Sequence, residues 1–110
     1  MESTPHRKKK ITEVVAHAAA EWIKNEGGPQ SLITVTNVTM SSDFQNATIF
    51  VTVFPDDKEK KAMEFLDRNL HEFRDYVKSN TRLARLPWFS FSQDIGEKSR
   101  QRIDEISQNL

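Results

Sequence analysis

The chain has 110 residues, a common size for one compact domain with a single core. Hydrophobic residues make up 36% and charged residues 29%, which suits a well-solvated globular protein and speaks against disorder along the whole length. There is no cysteine, which excludes disulfides, thiolate zinc sites and thiol nucleophiles. No apolar run approaches the roughly 18 residues that would cross a bilayer. The polar, basic start (Met1–Lys10) lacks the apolar segment of a secretory signal, so a cytoplasmic location and no membrane partner are expected.

Ile11, Val14, Val15, Ala18, Trp22 and Ile23 recur at helical spacing and predict a first helix over Pro5–Asn25, stopped by Gly27, Gly28 and Pro29. Leu32–Met40 is rich in β-branched residues and predicts a strand. Its apolar residues change phase: Ile33 and Val35 share one, Val38 and Met40 the other. A β-bulge near Thr36 or Asn37 would reconcile them. Ser41, Ser42, Asp43 and Asn46 form a polar turn into a second strand, Ala47–Phe54, paired antiparallel with the first. Ala47, Ile49, Val51 and Val53 share one of its faces. After Pro55, Asp57 is the expected N-cap of a helix. Composition is helical from Lys58 to Arg82, and a phase drift between Leu66 and Phe73 predicts two helices or one bent one. Pro87 ends this region, Trp88–Phe91 is a short third strand with Phe89 and Phe91 on one face, and Asp94 caps a last helix carrying Ile103, Ile106 and Leu110. The order predicts an α+β sandwich with helices on one face of a three-stranded sheet.

Little points to catalysis. His6, His17 and His71 have no metal-ligand spacing, and neither a phosphate-binding glycine loop nor a nucleophile elbow is present. Adjacent acids such as Asp56 and Asp57 read as turn and cap residues, so no active site, metal or cofactor is expected. Sixteen Lys and Arg balance sixteen Asp and Glu, yet the basic residues are not evenly spread. Arg7, Lys8, Lys9 and Lys10 are contiguous. Arg74, Lys78, Arg82 and Arg85 follow at intervals of four, four and three, which would align them along one helix face, opposed locally by Asp75. Such a stripe either neutralises phosphates or is a solvated face pairing with nearby acids. Phe50 and Phe54 either stack on bases or, as expected here, pack under a helix. Trp88 and Phe89 pose the same choice.

Several local strings, in order, resemble the ribosome-binding factor A family from about Arg7 to Ile106. Arg7-Lys8-Lys9-Lys10-Ile11 is similar to the family's basic lead into its first helix. The segment from Val35 through Met40-Ser41-Ser42-Asp43-Phe44 to Ala47 is similar to its Val-x-x-Val-x-Leu-Ser-x-Asp-Leu pattern. Leu83-Ala84-Arg85-Leu86-Pro87, then Phe89, Phe91 and Asp94, resembles its basic helix end, proline, third strand and following acid, and Arg102-Ile103 its late Arg-Ile pair. The resemblance implies a type II KH-like fold without a Gly-x-x-Gly loop. It implies non-catalytic docking on the 30S small ribosomal subunit and contact with 16S ribosomal RNA, late in maturation and during growth in the cold. On that reading the phosphate contacts are Arg7, Lys8, Lys9, Lys10, Arg74, Lys78, Arg82 and Arg85, and the protein is expected to be a monomer. Two departures stand out. The family's Ala-x-Gly kink between helices corresponds to Asn69, Leu70 and His71 here, and asparagine also tolerates unusual backbone angles. The family's arginine three residues before the proline is Ala84, with Arg85 as its substitute. The rival expectation is a KH-like protein-interaction module meeting a partner through Phe50, Phe54 and Trp88 with no RNA contact.

Overall fold

The computed structural model describes residues 4–26 and 32–97. Helix α1 spans Thr4–Glu26. It is followed by strands β1 (Leu32–Met40) and β2 (Asn46–Phe54), a 3-10 turn over Asp56–Lys58, helices α2 (Glu59–Arg68) and α3 (Leu70–Asn80), and strand β3 (Trp88–Gln93). The expected Gly27–Pro29 stop and the helical residues Ile103, Ile106 and Leu110 lie outside the described residues, as does the Arg102-Ile103 pair.

The sheet order is β1-β2-β3. β1 pairs antiparallel with β2, and β2 parallel with β3. The register of β1 shifts between Val35 and Asn37, opposite Val51 and Phe50, so Thr36 is the extra residue of a bulge. The insertion turns Ile33, Val35, Val38 and Met40 to one side despite their mismatched phases in sequence. The bulge is fastened from a distance: Thr36 Oγ1 donates to Asp94 Oδ2 at 2.6 Å. Asp94 also accepts the Glu97 N–H at 2.9 Å, capping the helical turn at 95–97 as expected.

Helices α1, α2 and α3 lie against one face of the sheet. α1 buries Val15, Ala18, Ala19, Trp22 and Ile23, an i, i+3, i+4, i+7, i+8 set. α2 contributes Ala62 and Leu66, α3 contributes Phe73 and Val77, and the sheet supplies Val38, Ile49, Val51 and Phe91. Trp22 is the hub, with ring centroids 5.2 Å from Phe73, 6.1 Å from Phe65 and 6.2 Å from Phe91. Phe89 also joins the core, its ring 5.1 Å from Phe73. This is the KH-like α+β sandwich expected from the order of elements.

Three expectations need correction. Asp57 does not cap α2. The Lys58 N–H bonds Pro55 O at 3.0 Å and closes a tight turn around Asp57, and Lys58 reaches α2 already near helical angles (φ −98°, ψ −2°). Phe50 and Phe54 do not pack under a helix. They alternate with the buried Ile49, Val51 and Val53, so they occupy the sheet face opposite the helices, where Phe54 is 68% exposed. Finally, α3 stops at Asn80, so Arg82 and Arg85 lie beyond it and no four-residue helical stripe forms. The Asn80 amide donates to Tyr76 O at 2.9 Å and the Thr81 hydroxyl to Val77 O at 2.8 Å. These side chains satisfy the last carbonyls in place of further helix.

Candidate nucleic-acid interface

The contiguous basic residues Arg7, Lys8, Lys9 and Lys10 stand on the opening turns of α1, and Lys24 lies in its last turn. Arg7, Lys9 and Lys10 are exposed and Lys8 is half-buried. The first turn holds no acidic residue. The aligned peptide dipoles make a helix N-terminus positive, and cations placed there add to that potential when acids would offset it. An anion bound at this end would relieve the repulsion.

The β1–β2 turn sits beside these cations. Phe44, at φ 62°, has the Arg7 guanidinium 5.8 Å and the Lys8 ammonium 6.0 Å from its ring centroid. The turn is held internally. Ser41 Oγ donates to Asp43 Oδ1 at 2.6 Å, the Gln45 N–H donates to the same oxygen at 3.1 Å, and the Asn46 N–H donates to Ser41 Oγ at 3.0 Å. The Ser41 hydroxyl, then the Gln45 amide, hold the Asp43 carboxyl below the usual aspartate range, although it is fully exposed. From the same turn Gln45 O accepts the Trp88 N–H at 2.8 Å, joining the hairpin to the start of β3.

Arg74, half-buried on α3, donates through Nη1 to Pro87 O and through Nη2 to Leu86 O at 3.4 Å. Its guanidinium lies 4.5 Å from the centroid of the Trp88 ring. Two of its five N–H donors are thus turned to main-chain carbonyls, and it fixes the chain entering β3. Lys78 stands exposed one helical turn further along α3, and Arg82 and Arg85 are exposed in the link to β3.

The fold brings one member of each basic set, Lys10 and Arg82, to one cleft, although they lie more than seventy residues apart in sequence. A cleft of about 820 Å³ between α1 and the end of α3 is lined by Lys10, Glu13, Val14, His17, Ala18, Glu21, Tyr76, Asn80, Thr81 and Arg82. Lys10 and Arg82 therefore face one cavity, whose floor is partly apolar and whose charge is tempered by Glu13 and Glu21.

Asn69 alone separates α2 from α3, at φ −109° and ψ 19°. Its amide donates to Phe65 O at 2.7 Å, and its own carbonyl accepts the Phe73 N–H at 2.9 Å. The break therefore uses a negative φ open to any residue and does not require glycine. Leu70 packs on the core, and His71, with its side chain 90% exposed, lies 3.6 Å from Asp75. Among the described residues no three His, Cys, Asp or Glu side chains converge on a metal position. No described helix is long and apolar enough to cross a membrane. Sequence reasoning missed Phe44. Its only sequence signal is a residue after Asp43 in a tight turn, which does not reveal a ring beneath two cations.

Residues 6–107 match the family model described as Ribosome-binding factor A. The ribosome-binding factor A of Kosmotoga olearia is 31% identical over 113 residues, covering 98% of this chain and 90% of that one. That of Thermosipho melanesiensis is 32% identical, covering 94% and 91%. The crystal structure of ribosome-binding factor A from Thermus thermophilus superposes with a TM-score of 0.70 at 26% identity, over 78% of this chain and 93% of that one. A homology model of the Thermus thermophilus factor, fitted into a cryo-EM map of a 30S–RbfA complex, gives a TM-score of 0.63 at 25% identity, over 80% and 91%. On the family match and these relatives together, the chain belongs to the ribosome-binding factor A family.

Proposed function

We propose that this protein is an assembly factor that docks on the 30S ribosomal subunit and contacts 16S rRNA during late maturation, as one monomeric KH-like domain in the cytoplasm. The observation that carries the reading is the meeting of Lys10 and Arg82 on one cleft, beside Arg7 and Lys8 at the positive end of α1. Arg7, Lys8, Lys9, Lys10, Lys78, Arg82 and Arg85 contact phosphates. Arg74 holds the entry to β3 and presents its remaining donors to the same partner. Binding favours one rRNA conformation over another, and no bond is made or broken. By likeness to the family, the protein supports rRNA processing and growth in the cold. The Thermus thermophilus factor's fit in a 30S complex supports the choice of partner.

The test is co-sedimentation with free small subunits and with whole ribosomes across a salt series. Lys78→Glu with Arg82→Glu should weaken binding to free subunits and reduce the slope of log K against log salt by about 1.4 to 1.8, for two lost phosphate contacts. Binding and slope equal to the parent's would remove these residues from the interface. A protein-interaction reading is favoured only by the exposure of Phe54 and Trp88, each 68%. Nuclease treatment separates the two, because an RNA-held complex dissolves and a protein-held one survives.

A further inference from the structure

Resting on the docking reading above, we infer that Trp88 is a stacking site for an unpaired nucleobase of single-stranded RNA. The indole is 68% exposed because it opens a strand whose alternate residues, Phe89 and Phe91, enter the core and leave Trp88 on the other face. Its placement is not loose. The backbone N–H is bonded to Gln45 O at 2.8 Å, the preceding Pro87 is buried, and the guanidinium of Arg74 lies against the ring at 4.5 Å. Arg74 is itself anchored on the carbonyls of Leu86 and Pro87. An aromatic ring held rigid, with a cation against it and most of its surface in water, is an ordered platform awaiting a planar partner.

The neighbouring turn repeats the arrangement. Phe44, adjacent in sequence to the residue that bonds Trp88, has Arg7 and Lys8 over its ring. Two aromatic rings, each with a cation, are thus linked through one backbone hydrogen bond at the basic end of the sheet. Single-stranded RNA offers both chemistries these couples take: π-faces for the rings and phosphates for the cations. A duplex hides its base faces, so the site selects unpaired nucleotides, and it tolerates any base because each has a π-face. Arg74 is a positioning residue here, and Trp88 is the one that touches the base.

The experiment uses the full chain with a 12-nucleotide oligouridylate, and inorganic polyphosphate as a charge-matched control without bases. Trp22 is 2% exposed, so the iodide-accessible tryptophan emission comes from Trp88. Oligouridylate should quench or shield that emission and polyphosphate should not. Trp88→Ala should weaken oligouridylate binding by roughly 5- to 150-fold, the range for loss of one base–aromatic stack. The salt slope should stay unchanged because no phosphate contact is lost. Trp88→Phe should recover part of the affinity. Equal quenching by polyphosphate, or Trp88→Ala binding like the parent, would overturn the stacking site. In either case subunit co-sedimentation still decides the docking reading separately. Trp88 shielded on subunits by a protein that survives nuclease would also overturn the inference, in favour of a protein contact.

Discussion

Arg74 illustrates how a cation read from sequence as a surface contact can be part of the fold. Replacing it with alanine removes a charge-assisted hydrogen bond to Pro87 O and the stack on Trp88, together with a 3.4 Å contact to Leu86 O too long to count for much. A hydrogen bond from a charged donor contributes about 1.5 kcal/mol at the low end of its range, appropriate for a half-buried group. A cation–π contact with an exposed ring adds about 0.5 kcal/mol. Arg74→Ala should therefore cost about 2 kcal/mol, and at about 4 °C per kcal/mol for a domain of this size the melting temperature should fall by about 8 °C. In urea, with a slope of about 2 kcal/mol per molar, the midpoint should fall by about 1 M. Arg74→Lys should recover less than half of the loss, since a compact ammonium cannot both reach Pro87 O and keep a planar cation against the indole. Thermal and urea unfolding followed by circular dichroism give both numbers. A variant melting within about 2 °C of the parent would refute the clamp.

Phe73 is fully buried and touches Trp22, Phe89 and Phe91, so Phe73→Ala should destabilise by about 3 to 5 kcal/mol, read by the same unfolding curves. Asn69→Gly should lower stability by about 1 kcal/mol, because the φ of −109° needs no glycine and the amide bond to Phe65 O is lost. A more stable Asn69→Gly protein would show that the family's glycine kink is favoured here as well. For Asp43, the folded-state pKa is depressed, so its contribution is present above the unfolded pKa and is lost as pH falls through the lower folded value. Ser41→Ala should move the Asp43 titration upward toward the ordinary range, as followed by NMR of the carboxyl carbon. An unmoved titration would exclude the Ser41 hydroxyl as the cause.

The elements that repeat strongly were legible from sequence. The apolar period from Ile11 to Ile23 revealed α1, and the phase change in Leu32–Met40 narrowed the bulge to Thr36 or Asn37, of which Thr36 is the extra residue. The interruption between Leu66 and Phe73 is the break at Asn69. The end of α3 was harder to read because no proline or glycine marks it. The signal is the weak run Ser79-Asn80-Thr81, whose side chains compete for the helix's carbonyls. Overlooking it produced a four-residue stripe that the fold replaces with a cleft. Phe50 and Phe54 were expected under a helix and lie on the other face, because β2 carries apolar residues on both faces and only the position of the helices distinguishes them. The placement of Lys10 and Arg82 on one cleft is a tertiary arrangement that no local pattern encodes.

The bulge at Thr36 has a bearing on solubility. β1 pairs with β2 along one side and with no other described strand on its opposite side, so nine residues of backbone form a potential template for another chain. An extra residue in mid-strand interrupts the regular spacing of N–H and C=O groups along that edge, and its tie to Asp94 keeps the interruption in place. A straight strand arriving from a second molecule can match the ladder on one side of Thr36 or the other, but not both. The residue that turns both halves of β1 toward the core thereby also protects its open edge from unwanted pairing.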